Sequence, residues 1–183
     1  MYVYTTVKRN SYLFVAFAIG KWTQQTCAEM LARFRHCLRP VGSGEKIEVF
    51  TDGNDDYTYS FPLFFKVKQL DYAQLVKVRD ANGRLIRKEI RVVFGDPDRD
   101  NVETVNVENF NSILRERVGR LVRKTKCFSK KRRRLGCAVS LLQFYWDFVS
   151  EIRRGVTPAM LENCSEHVWT WHDFYYSEVI NKY

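Results

Sequence analysis

Lys46-Ile47-Glu48-Val49-Phe50-Thr51-Asp52-Gly53 decides the fold, because a β-branched and aromatic run closes on a carboxylate and then on the turn-forming residue glycine. A strand from Lys46 to Thr51 delivers Asp52 to its carboxyl end. In sheets flanked by helices, that end is where ligands are bound. An Asp-Gly pair also makes an ordinary turn, and both readings stay open on spacing alone.

Upstream, Tyr2 to Val7 and Tyr12 to Ile19 are rich in β-branched and aromatic residues, and the second is apolar on both faces, as a central buried strand would be. They pair through a turn near Lys8-Arg9-Asn10. Thr23 is placed to cap a helix whose apolar positions Cys27, Met30, Leu31, Phe34 and Leu38 recur at three- and four-residue spacing, and the run from Pro40 to Gly44 ends it. Downstream, Leu75 to Arg79 and Leu85 to Phe94 read as two strands, joined by the Asn-Gly turn in Asp80-Ala81-Asn82-Gly83. The expectation is a β-hairpin insertion.

The acid-rich loop from Gly95 to Asn101 leads into a helix lined by Val107, Phe110, Leu114, Val118 and Leu121. Glu108 falls beside that stripe and shares a face with Asn111, Ser112, Arg115 and Gly119. It serves either as a favourable charge at the positive end of the helix dipole or as a functional acid. After Ser129 a second helix carries Leu135, Ala138, Leu142, Tyr145, Val149 and Ile152 on one face, with Gly155 and Pro158 as its stop.

Charge is concentrated rather than spread. From Arg115 to Arg134 the chain holds eleven Lys/Arg against the single acid Glu116, whereas the whole chain has a net charge of +9. Such a stripe is the electrostatic footprint of a polyanion partner, nucleic acid first, although a basic helix face is often only solvated surface. The 183 residues, 45% hydrophobic and 15% aromatic, suffice for a full core and exclude a disordered tail. Five cysteines without a C-x-x-C pair fit a reducing cytoplasm. Cys164 and His167 have ligand-like spacing, but no second pair completes a zinc site. The longest apolar run, Leu13 to Ile19, is far short of the ~20 residues that span a bilayer, so no membrane partner is expected.

With strand, helix, strand-Asp-Gly and a later helix opening on Glu in place, the chain resembles DDE transposases of the insertion-sequence-one type. The most specific part is Val107-Glu108-Asn109-Phe110-Asn111-Ser112-Ile113-Leu114-Arg115 through Arg123-Lys124-Thr125-Lys126-Cys127-Phe128-Ser129-Lys130, which is similar to the family's Glu-containing signature. Phe50-Thr51-Asp52-Gly53 resembles its second-Asp motif. Thr157-Pro158-Ala159-Met160 with His167-Val168-Trp169-Thr170 resembles a C-terminal element of relatives.

The resemblance implies an α/β fold, an RNase H-like mixed sheet flanked by helices. It implies a catalytic domain over residues 1–154, with 155–183 as an aromatic-rich extension packed on it. It further implies DNA transposition by metal-dependent cleavage and strand transfer, with Mg²⁺ (or Mn²⁺) in a two-metal site. Asp52 and Glu108 are then catalytic metal ligands, and Asn111 and Ser112 support Glu108. Arg115, Arg123, Lys124, Lys126 and Lys130 are then phosphate contacts. The implied partners are transposon ends and target DNA, and the full-length protein is implied to be a homo-oligomer.

The family's first catalytic Asp is expected just upstream of Met1, and its end-recognition region further upstream, so a chain truncated after its first metal ligand and inactive alone is anticipated. Glu48 shares a strand face with Asp52 and is the substitute to consider, whereas Asp55 and Asp56 read as solvated loop acids. The alternatives are a non-catalytic DNA-binding regulator of transposition and a degraded transposase remnant.

Overall fold

The structure is a computed structural model and describes residues 1–42, 44–122, 126 and 129–177. It has a mixed α/β architecture in two units. Unit 1 comprises residues 1–6 and 15–111, and unit 2 comprises residues 7–14 and 112 onward.

Unit 1 is built on β1 (Tyr2–Val7), β2 (Phe14–Gly20), α1 (Gln24–Cys37), β3 (Ile47–Asp52), α2 (Asp55–Phe64), β4 (Leu70–Arg79) and β5 (Leu85–Phe94). Its last segment opens α3 (Val105–Arg117). Strands β1 and β2 form a two-stranded sheet, and β3, β4 and β5 form a three-stranded one in that order. The larger sheet is mixed: β4 runs parallel to β3, with Ile47 opposite Leu70 and Asp52 opposite Leu75, and antiparallel to β5. The hairpin foreseen at Leu75 to Phe94 is therefore present, but its first arm starts at Leu70 and is the central strand of the sheet.

That parallel pairing requires a crossover, and α2 supplies it. Asp55 and Asp56, read from the sequence as loop acids, form the first turn of this helix. Asn54 caps it by accepting the Asp56 N–H at 3.0 Å, and the two carboxylates complement the helix dipole. At the head of α1, Thr23 occupies the capping position, but its hydroxyl meets Thr26 Oγ1 at 3.3 Å instead of bonding a backbone N–H.

One apolar core unites these elements. Tyr4 of β1, Ala16 and Ala18 of β2, Cys27, Met30, Leu31 and Phe34 of α1, Phe61 and Phe65 around the end of α2, and Leu70 and Tyr72 of β4 are all buried in it. Phe61 lies at its centre, 4.7 Å from the Tyr72 ring and 5.6 Å from the Phe65 ring. Full burial pushes the Cys27 thiol up to about 12. Cys37, Cys137 and Cys164 are exposed free thiols.

Unit 2 is helical. Its α4 (Arg132–Phe144) passes directly into a π turn (Tyr145–Val149) and stops at Ser150, short of the Ile152 expected from periodicity. Within the π turn Asp147, 4% exposed, accepts the Phe14 N–H at 2.7 Å. Trp146 Nε1 donates to the Tyr12 carbonyl at 2.9 Å. Two short helices, α5 (Pro158–Leu161) and α6 (Trp171–Tyr176), follow, and the rings of Phe144, Phe148, Trp169 and Phe174 cluster together. No described helix is long and apolar enough to cross a membrane.

Burial pushes the Asp147 carboxyl up to about 8, against a partial lowering by the Phe14 N–H. A carboxyl raised in this way holds its proton in the folded state over a range where the unfolded chain has released it. Stability is therefore expected to fall as pH rises from the ordinary carboxyl range toward 8. Asp147→Asn should flatten that dependence, and urea unfolding across this pH range measures it.

Candidate functional site

Asp52 and Glu108 both belong to unit 1, and β4 and β5 bring lysines to them. The register places Asp52 opposite Leu75, and Lys77 lies two residues further along the same strand, hence on the same face. Lys88 of β5 is directly opposite Lys77. Lys77 Nζ donates to Glu108 Oε1 at 2.5 Å, and the same oxygen accepts from the Thr104 hydroxyl at 3.0 Å. Thr104 is buried immediately before α3, and its carbonyl takes the Glu108 N–H at 2.9 Å, which fixes the first turn and the direction of the glutamate.

The two carboxylates differ electrostatically. The Lys77 hydrogen bond holds the Glu108 carboxyl below its ordinary value against a desolvation effect, with Thr104 and Lys88 acting in the same direction as Lys77. Desolvation raises the Asp52 carboxyl. The Asn54 N–H and Lys77 oppose that rise, and the charge of Glu108 adds to it. Lys77 thus acts on both acids. Asp52 is nevertheless solvent-accessible as a residue.

The turn that presents Asp52 is braced from beneath. Asp52 Oδ1 accepts the Asn54 N–H at 3.3 Å. Gly53 lies so close to β4 that an added Cβ would stand 3.3 Å from a Val76 methyl. On the opposite sheet face the fully buried Gln74 donates to the Asn54 carbonyl at 3.1 Å, to Thr58 at 3.3 Å and to the Tyr72 hydroxyl at 2.8 Å. Tyr72 meets the Thr51 hydroxyl at 2.8 Å. Arg91 of β5 donates to Gln74 Oε1 and to Asp55 Oδ1. Every link holds the β3–α2 junction against the sheet.

The other acids near Asp52 are engaged elsewhere. Glu48 lies four residues back along β3, opposite Asp71, and accepts the Asp98 N–H at 3.0 Å, so it steadies a loop rather than replacing a ligand beside Asp52. Asp56 accepts from the Tyr4 hydroxyl at 3.1 Å, and Asp55 pairs with Arg91. Asn111 accepts from the Thr5 hydroxyl at 3.0 Å and so ties α3 to β1 one turn after Glu108, while Ser112 is exposed. Of the five basic residues singled out from the sequence, Arg115 is half-buried in the last turn of α3, and Lys126 and Lys130 are exposed. Arg123 and Lys124 lie outside the described residues.

Two hard carboxylate oxygen donors, one partly desolvated, suit a single Mg²⁺, which is commonly held by one or two carboxylates with the remaining positions filled by water and substrate phosphate. Among the described residues no group of three or more His, Cys, Asp or Glu side chains converges as a metal site. Glu108 Oε1 is already paired with Lys77, so an ion taking that oxygen would displace the lysine.

Lys77, Thr104 and Gln74 went unrecognised in the sequence. Only the parallel register of β3 and β4 reveals that Lys77 shares a face with Asp52. The polar Gln74 and charged Lys77 interrupting the run Tyr72 to Val78 were the available signal.

Replacing Lys77 by Met should raise both carboxyl pKa values, that of Glu108 more, as read by carboxyl-carbon NMR titration. In the unaltered chain the Glu108 pairing contributes stability above the ordinary carboxyl range and loses it as pH falls through the depressed value. With the glutamate half exposed, that contribution is about 1 kcal/mol or less.

Comparison with known protein families, with curated proteins and with solved structures finds no match to this chain.

Proposed function

We propose that this chain is a transposase-type protein with an RNase H-like catalytic domain of the DDE insertion-sequence-one type, acting on DNA phosphodiesters. The observation that carries the proposal is the joint placement of Asp52, at the carboxyl end of β3, and Glu108, in the first turn of α3, around the shared cation Lys77. The β3–α2–β4 crossover with an acid at its strand end supports the same reading.

In this proposal Asp52 and Glu108 would hold Mg²⁺, and the metal would supply Lewis-acid stabilisation of the charge that builds on oxygen in an in-line displacement at phosphorus. Thr104 keeps Glu108 aimed, and the Gln74 brace keeps Asp52 from swinging with its turn. Lys77, released from Glu108, offers its ammonium to a phosphate oxygen. The exposed Lys126 and Lys130 contribute sequence-independent affinity through counterion release.

A second reading, DNA binding without cleavage, is favoured by one observation: Lys77 already neutralises Glu108. A regulator would use that arrangement as a stable, metal-independent surface.

Nicking of supercoiled plasmid by the chain extended upstream to supply the expected first aspartate separates the two. The catalytic reading expects Mg²⁺-dependent nicking that drops at least about a hundredfold in Asp52→Asn and in Glu108→Gln, with DNA affinity retained. Salt-sensitive binding with no nicking in Mg²⁺ or Mn²⁺ would overturn it and leave the regulator. Lys126→Ala and Lys130→Ala should each lower the salt slope of binding by about one under either reading.

A further inference from the structure

Unit 2 holds an open cavity of ≈ 490 Å³ that the proposed chemistry does not use. That volume lies in the ~300–1,000 Å³ range of small-ligand sites. Tyr145 and Trp171 contribute nearly parallel rings to it, 6.3 Å apart between centroids and inclined by 17°. Trp171 is 43% exposed, and the Leu141 side chain beside it is exposed as well.

The same cavity is lined by Arg117, Arg120 and Arg134, all exposed, and none forms an ion pair or hydrogen bond with a described residue. Three guanidinium groups around one opening, unpaired among the described residues, repel each other and attract an anion. Their planar donor forks match phosphate oxygens. An exposed tryptophan backed by a parallel tyrosine offers a platform on which a further flat ring can stack.

We infer that this cavity seats one unpaired nucleotide of a single-stranded nucleic-acid segment. The base stacks on the Trp171–Tyr145 pair, and the adjoining phosphates lie against Arg117, Arg120 and Arg134. A duplex cannot fill the site in this way, because its base faces are already stacked on one another. The inference rests on the proposed function only for the choice of nucleic acid as the polyanion; it needs neither metal nor the Asp52–Glu108 pair.

The test is fluorescence anisotropy of the full chain, with EDTA present, against three labelled probes of equal length: oligothymidine, an abasic strand with the same backbone, and a duplex. Oligothymidine is expected to bind tighter than the abasic strand. Trp171→Ala should weaken oligothymidine roughly five- to a hundredfold and leave the abasic strand unchanged, while Trp171→Phe keeps most of the affinity. Arg134→Gln, on the exposed surface, should weaken both single strands and reduce the salt slope by about one. Equal affinity for thymidine and abasic strands, or a preference for duplex, would overturn the inference. So would an equal effect of Trp171→Ala on both strands, or displacement of the strand by polyglutamate as readily as by unlabelled DNA. Since no cleavage is read, loss of the catalytic proposal leaves this result standing, and failure here leaves Mg²⁺-dependent nicking untouched.

Discussion

The buried amide of Gln74 is the constraint on which unit 1 depends. A fully buried side-chain amide must satisfy its donors and acceptor within the protein or forfeit on the order of 1–3 kcal/mol. Gln74 meets that demand by reaching the Asn54 carbonyl, Thr58, Tyr72 and Arg91 at once. The strand that contributes it is therefore locked to the strand before it, to the helix between them and to the strand after it. Slippage of β4 by one residue would move Gln74 to the other face and strand its three partners outside the strand, Asn54, Thr58 and Arg91. The same lock sets the position of Asp52, which is two residues from Asn54.

Above this brace the electrostatics are arranged in opposition. Desolvation pushes the Asp52 carboxyl toward its neutral form while Lys77 holds Glu108 ionised. One lysine thus compensates a pair of acids that would otherwise repel. A divalent ion would do the same with twice the charge, which is why a cation-dependent site and a permanently paired one share this geometry. The outcome depends on whether the ion recovers more energy than the exposed Lys77–Glu108 contact, and such contacts are weak.

Much of this was legible in the sequence wherever a signal was local. The β3 run ending at Asp52, the α1 stripe, the Asn-Gly turn after Asp80 and the entry of Glu108 into a helix all rest on neighbours within a few residues. What escaped depended on distant partners. The acids at 55 and 56 resemble a solvated loop unless Asn54 is known to cap them, and Pro62 near the end of α2 argues further against a helix. Lys77 cannot be paired with Glu108 before the register of β3 and β4 is known. The Asp147 bond to the Phe14 N–H, just before the break at Ser150, is a contact across more than a hundred residues that helical periodicity does not encode. The basic stretch is evident from composition, yet which of its cations share a face is a question of placement.

Cys27 gives the core of unit 1 a clock of its own. Fully buried and with its thiol pushed up to about 12, it presents almost no thiolate to a reagent at neutral pH, whereas Cys37, Cys137 and Cys164 lie open. Modification at Cys27 therefore proceeds only as often as α1 lifts from its neighbours. Its alkylation rate counts those openings in the native protein, and replacing the other four cysteines by serine leaves that slow reaction as a record of how tightly the domain breathes.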